Sequence, residues 1–153
     1  MELTVGVNSY MELEEAEALI TNELFDTDEE YIKWSASNKD TKTKLIIKGT
    51  RLVDQLPFLG YKLDLSGTQK LHWPRLINNE KIECPDEIKV GLLVQSLRDK
   101  INKGKPEAKL LELGVNSYKV KDASISLDPT KVTKLSNGIY TDIFNDYFKK
   151  WVR

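Results

Sequence analysis

The strongest constraint in this chain is a run of apolar residues that one helical stripe cannot hold. Ile88, Val90, Leu92, Leu93, Val94, Leu97 and Ile101 follow Pro85, Asp86 and Glu87. Proline suits the first turn of a helix, and acids there interact favourably with the macrodipole. The apolar positions then wrap around more than one face. The predicted helix must therefore be covered by neighbours on several sides. Asn102-Lys103-Gly104 supplies its stop.

Other segments offer the cover. Leu13, Ala16, Ile20 and Leu24 fall at helical spacing, with Glu12, Glu14, Glu15 and Glu17 early in the run. A short helix is expected from Asp28 to Trp34, capped by Asp26, Thr27 or Asp28. A third should begin at Ser37 or Asn38 and run to Leu56, where Pro57 ends it. Its apolar stripe is Leu45, Ile46, Leu52, Val53 and Leu56. Ile139, Tyr140, Ile143, Phe144, Tyr147, Phe148 and Trp151 give a C-terminal aromatic amphipathic helix over 139–151. That face either packs on the core or docks onto a partner.

Between the helices the periodicity changes. Val5–Tyr10 reads as an extended lead-in after a turn, and its Gly6-Val7-Asn8-Ser9-Tyr10 recurs at 114–118. Residues 57–84 show little periodicity and read as a long packed loop. Val115, Tyr118 and Val120, followed by Ala123–Leu127, suggest a small hairpin turning at Lys121-Asp122. The prediction is a single mainly α domain over 1–153. It is a bundle of four or five helices with a small β-hairpin and a long packed loop.

The chain has 153 residues, 40% hydrophobic and 31% charged, which places it among globular proteins. No apolar run approaches the ~20 residues of a membrane span. Met1-Glu2-Leu3-Thr4 lacks the charged start and apolar stretch of a signal peptide. Cys84 is the one cysteine, so no internal disulfide can form, and an intracellular setting is expected. The one histidine, His72, pairs with no nucleophile by spacing, and Cys84 reads as a buried, inert thiol. No Cys/His cluster has metal-ligand spacing, and no Gly-rich run could cradle phosphates. No catalytic residue, cofactor or metal is expected, and the chain is not expected to be an enzyme.

Charge is unevenly spread. Residues 1–30 carry ten acids and no Lys or Arg, while the chain as a whole has a net charge of −1. One reading is an acidic solvated helix. The other is that acidic and basic faces meet between copies, head to tail, closing into a ring or running on as a filament. The residues for such an interface would be Glu14, Glu15 and Glu17 against Arg98, Lys100, Lys103 and Lys105. The same basic stretch, extended by Lys109 and joined by Trp34, Trp73 and Trp151, could serve nucleic acid. The pI of about 5.9 argues against a dedicated binder.

One region carries a resemblance. It contains Gly60-Tyr61-Lys62, then Gln69-Lys70-Leu71-His72-Trp73-Pro74-Arg75, then Ile82-Glu83-Cys84-Pro85-Asp86-Glu87-Ile88. With Asn8-Ser9-Tyr10 and Leu13-Glu14-Glu15-Ala16 before it and the Gly114–Leu127 hairpin after it, this resembles a tailed-bacteriophage family. Its members are head–tail connector (adaptor) proteins, also labelled DnaT-like single-stranded-DNA-binding proteins. The resemblance covers residues 5–127 and implies a virion protein of the phage neck, made in the host bacterial cytoplasm. It further implies a homo-oligomeric ring, twelvefold like the portal above it, with the next neck or head-completion protein below. DNA would pass through without sequence-specific binding, and no membrane is involved. The DnaT-like label implies single-strand binding instead. Trp73, Pro74 and Arg75 form the structural motif: Pro74 stiffens the backbone, Trp73 anchors the loop, and Arg75 bridges to an acid or to loop carbonyls. Partner contact by Trp73 or Arg75 is the alternative.

Overall fold

The computed structural model describes residues 2–103 and 133–153 in full, and residues 117–120 and 123–126 as backbone strands. The elements run α1 (Leu13–Glu23), α2 (Glu29–Ser35), α3 (Lys39–Val53), β1 (Tyr61–Lys62), β2 (Arg75–Ile77), β3 (Glu80–Ile82), α4 (Asp86–Lys103), β4 (Ser117–Val120), β5 (Ala123–Ser126) and α5 (Thr141–Ile143). After α5 the chain winds on through a π-helical turn, Phe144–Phe148, and a 3-10 turn, Lys149–Trp151.

The fold is mainly helical, as expected, and α4 is its axis. Helices α1, α2 and α3 and the C-terminal helical segment all pack on it. Ile88, Leu92, Leu93 and Leu97 are fully hidden. Pro85 stands just before the helix, and its carbonyl accepts from the Ile88 and Lys89 N–H groups. Gly91 is where the C-terminal segment comes closest. A Cβ there would lie 2.6 Å from the Phe148 ring, so any larger residue would push the two helices apart.

Local chemistry sets the other ends. The Asn38 side chain accepts from Thr41 N–H at 2.8 Å and starts α3. Asp28 stands at the α2 N-cap position, but its carboxylate instead accepts from Phe25 N–H. Helix α3 closes at Val53 rather than Leu56. The Leu56 N–H turns back to the Val53 carbonyl, and Pro57 follows.

Three segments differ from expectation. Val5–Tyr10 is a tight turn rather than an extended lead-in: Gly6 has φ +86°, and the Val7 and Asn8 N–H groups both reach the Thr4 carbonyl. Residues 57–84 hold a three-stranded antiparallel sheet in the order β1-β2-β3. Tyr61 faces Leu76, and Arg75 faces Ile82. Asn78 and Asn79, both at positive φ, make the two-residue turn between β2 and β3. The C-terminal aromatic segment is helical only from Thr141, because Tyr140 stays extended and bridges to Lys134. Its Ile139, Tyr140, Ile143 and Phe148 side chains are buried, so this face packs on the core.

Strands β4 and β5 pair antiparallel from Ser117↔Ser126 to Val120↔Ala123; the turn expected at Lys121-Asp122 lies outside the described residues. The rest of the repeated Gly-Val-Asn-Ser-Tyr, at 114–116, lies outside the described residues.

Candidate functional site around Trp73, Pro74 and Arg75

The motif residues converge on one place. Trp73 is buried and meets Phe58 and Trp151 edge-on, with ring centroids 5.3 and 5.8 Å apart. Aromatic pairs favour this edge-to-face arrangement. The indole N–H of Trp73 is buried without an acceptor, so the ring's packing rather than its polarity holds it there. The Trp73–Pro74 peptide is cis.

Arg75 follows on the inward face of β2. Its guanidinium donates to the Leu59 carbonyl at 2.6 Å, to Gly60 at 2.8 Å, to Phe58 at 3.3 Å and to His72 at 3.2 Å. A buried cation is thus satisfied by a fan of backbone carbonyls, a task for which the planar five-donor group is suited. Of the two expected roles, an acid or loop carbonyls, the carbonyls are the ones used. Arg153 reaches two of the same oxygens, on Phe58 and Gly60. Its backbone N–H also bonds the Pro57 carbonyl. The loop is therefore tied to the C-terminal residues. Gly60 has φ +71°, and its Cα faces the Leu76 carbonyl so closely that no Cβ fits.

Gln69 closes the outer part of the loop. Its amide N–H groups bond the Leu71 and Pro74 carbonyls, and its oxygen accepts from Asp64 N–H. Asp64 in turn accepts from Ser66 and Thr68, which hold its carboxyl down at about 2.

Asp54, just past α3, links this loop to the start of the chain. It accepts from the Tyr10 hydroxyl and from His72 N–H. Burial and the adjoining Asp54 charge push the Tyr10 hydroxyl well above the usual phenol range. The histidine sits in a defined state. The guanidinium of Arg75 can only donate, and it lies 3.2 Å from His72 Nδ1, so Nδ1 is the acceptor and the ring proton is on Nε2. Burial, with Lys62 and Arg75 nearby, depresses the His72 pKa despite Asp54. A cleft of about 530 Å³ opens beside this network, lined by Asn8, Arg51, Asp54, Gln55 and His72 among others. No hydrogen bond joins His72 to a hydroxyl or thiol side chain among the described residues.

The remaining sequence candidates fall elsewhere. Cys84 is largely buried, and that burial pushes its thiol up, against a reactive thiolate. Among the described residues no group of three or more His, Cys, Asp or Glu could hold a metal ion. No helix among them is long and apolar enough to cross a membrane. Glu15 pairs with Lys89 at 2.6 Å and Glu17 with Lys42 at 2.6 Å, both within the chain. Glu17 also accepts from the Trp34 indole. Glu14 is exposed. Arg98 is buried, bonded to both Asp142 oxygens and to Glu30. Lys100 and Lys103 are exposed, and Lys105 lies outside the described residues. Trp34 and Trp73 are both buried, so neither can stack on a base as the nucleic-acid reading requires.

Sequence reasoning missed Tyr10's partner Asp54, the Arg75 carbonyl fan and the part played by Arg153. All depend on contacts far apart in sequence. The Gln69-x-Leu71-x-Trp73-Pro74-Arg75 spacing was the available signal, since all five of its named residues bond or pack within this loop.

Comparison with known proteins adds one finding. Residues 2–92 match the model of a family described as "Putative DnaT-like ssDNA binding protein". No curated protein and no solved structure matches the chain.

Proposed function

The chain belongs to this DnaT-like family, and from that premise we propose that it is a structural head–tail connector (adaptor) subunit of a tailed phage. Copies form a ring under the portal that extends the DNA channel and joins head to tail. The portal lies above, the next neck or head-completion protein lies below, and DNA passes without sequence-specific contact. The reading involves no catalytic step, cofactor or metal, and it places the protein in the virion neck.

One observation carries it. The motif side chains Tyr10, Trp73 and Arg75, with Asp54, are engaged in fastening three parts of the chain together. Large apolar side chains nonetheless stand exposed: Phe25, Ile32, Tyr61 and Leu65. A rigid scaffold that presents apolar surface fits assembly better than turnover.

A second reading, a single-stranded-DNA-binding replication accessory, is favoured by the family's description. It predicts salt-dependent oligonucleotide binding that weakens when Lys100, Lys103 and Lys105 are changed. Mass spectrometry of purified virions separates the two. The connector reading expects the chain in the particle at a stoichiometry like the portal's. Its absence from particles, together with low-salt oligonucleotide binding, would favour the accessory.

A further inference from the structure

The exposed apolar surface is not uniform in its electrostatic setting. Phe25 is 77% exposed and Ile32 54% exposed. Phe25 does not dangle: its N–H donates to the Asp28 carboxylate at 2.9 Å, and its carbonyl accepts from Asp28 N–H at 3.0 Å. An aromatic ring held out on a closed turn is an apolar knob. Glu23 and Asp26 beside it are exposed, and no Lys or Arg precedes Lys33. The knob is rimmed by negative charge.

The converse feature lies between α3 and α4. A groove of about 420 Å³ runs there, lined on its apolar side by Leu45, Gly49 and Leu52. Its rim carries Lys48, Lys100 and Lys103. The one rim acid, Asp99, is already paired with Lys103 and Lys134. Lys48 and Lys100 make no ion pair among the described residues. The groove is apolar inside and positive at its edge, and its size suits a side chain as large as phenylalanine.

We propose that the groove between α3 and α4 receives the Phe25 knob of a second copy of this chain. The inference rests on the assembly reading above and names its interface. Charge sets the pairing: Glu23 and Asp26 of one copy face Lys48 and Lys100 of the next, while Phe25 removes apolar surface from water. Knob and groove share no residue, so every copy can offer both at once. Such a heterologous contact repeats from copy to copy and closes into a ring when the rotation allows. It keeps Lys100 and Lys103 on the basic side of the interface. On the acidic side it replaces Glu15 and Glu17, which are held within their own chain.

The test is a charge swap on the full chain, read by sedimentation velocity and native mass spectrometry. One variant carries K48E and K100E, the other E23K and D26K; all four residues are exposed, so the fold is retained. Each variant alone sets like charges face to face. Self-association should then need at least about tenfold more protein than in the wild type, the equivalent of ~1.4 kcal/mol. An equimolar mixture restores opposite charges at every contact and should recover the wild-type oligomer, with the two variants alternating. F25S should weaken association and should not be rescued by mixing. Variants that associate like the wild type would overturn this interface and leave the connector reading intact. A wild type that stays monomeric up to high concentration would also overturn it, and the connector reading then rests on its place in the particle. Oligonucleotide binding lost in K48E/K100E, with association unchanged, would assign the groove to a polyanion instead.

Discussion

The Tyr10 hydroxyl donates to the Asp54 carboxylate, joining the first turn of the chain to the end of α3 across 44 residues. The same carboxylate oxygen accepts from His72 N–H, so one acid ties the Asn8-Ser9-Tyr10 segment to the Trp73-Pro74-Arg75 loop. Replacing Tyr10 by Phe removes one donor and keeps the ring. A hydrogen bond to a charged group contributes about 1.5–3 kcal/mol when well buried. Because Asp54 is only half-buried, a loss near the lower end is expected in urea unfolding. Asp54→Ala, which strands both donors, should cost more than Tyr10→Phe.

Arg75→Lys should not behave as a conservative change. An ammonium cannot reach the Phe58, Leu59, Gly60 and His72 carbonyls together. A loss of about 2–4 kcal/mol is expected, since stranded buried acceptors each cost about 1–3 kcal/mol. Trp73 offers a contrast. Trp73→Ala should cost about 3–5 kcal/mol, but Trp73→Phe much less, because the indole N–H makes no hydrogen bond. Thermal unfolding of the three variants gives the ranking.

His72 makes stability pH-dependent at mildly acid pH. Asp54, Lys62 and Arg75 are the charged groups around it, and its pKa is lowered in the folded protein. The unfolded chain therefore takes up a proton first, near pH 6.5. Stability is fully present above that value and declines as pH falls toward the lower folded pKa. His72→Asn keeps an acceptor near Arg75 and removes the titration. Denaturant unfolding at a series of pH values should then lose its decline just below pH 6.5 in the variant and keep it in the parent.

Arg98 belongs to the fold and not to an assembly face. Its guanidinium lies between Asp142 and Glu30, and the ion pairs more than offset burial, raising its pKa. Breaking a buried pair from one side costs about 3–5 kcal/mol, less where a partner is partly exposed, as Asp142 is. Arg98→Ala should accordingly lower the unfolding midpoint, read by circular dichroism. If it altered self-association and left stability untouched, this placement would be wrong.

What could be read from the sequence was local. The apolar residues around α4 required a central helix, and Asn38 announced the start of α3. The small sheet stayed hidden because strands of two or three residues are too short to show alternation, although Asn78-Asn79 was a turn signal. The intrachain partners of the candidate interface residues were hidden for a different reason. Glu15 and Glu17 look like solvent-facing helix residues until Lys89 and Lys42 are brought to them by packing, and Arg98 looks like a helix-end cation until Asp142 meets it. Pairs so far apart in sequence leave no local trace. The Trp73-Pro74-Arg75 loop was legible as a structural motif, but its acceptors were not, being backbone carbonyls of Phe58, Leu59 and Gly60.

The most direct test of the account is cryo-electron microscopy of purified particles or neck complexes in which this subunit carries a label. Label is expected in a ring directly beneath the portal, one per subunit around the channel. Label absent from the neck, with the protein remaining in the cytoplasm on single-stranded DNA, would contradict it.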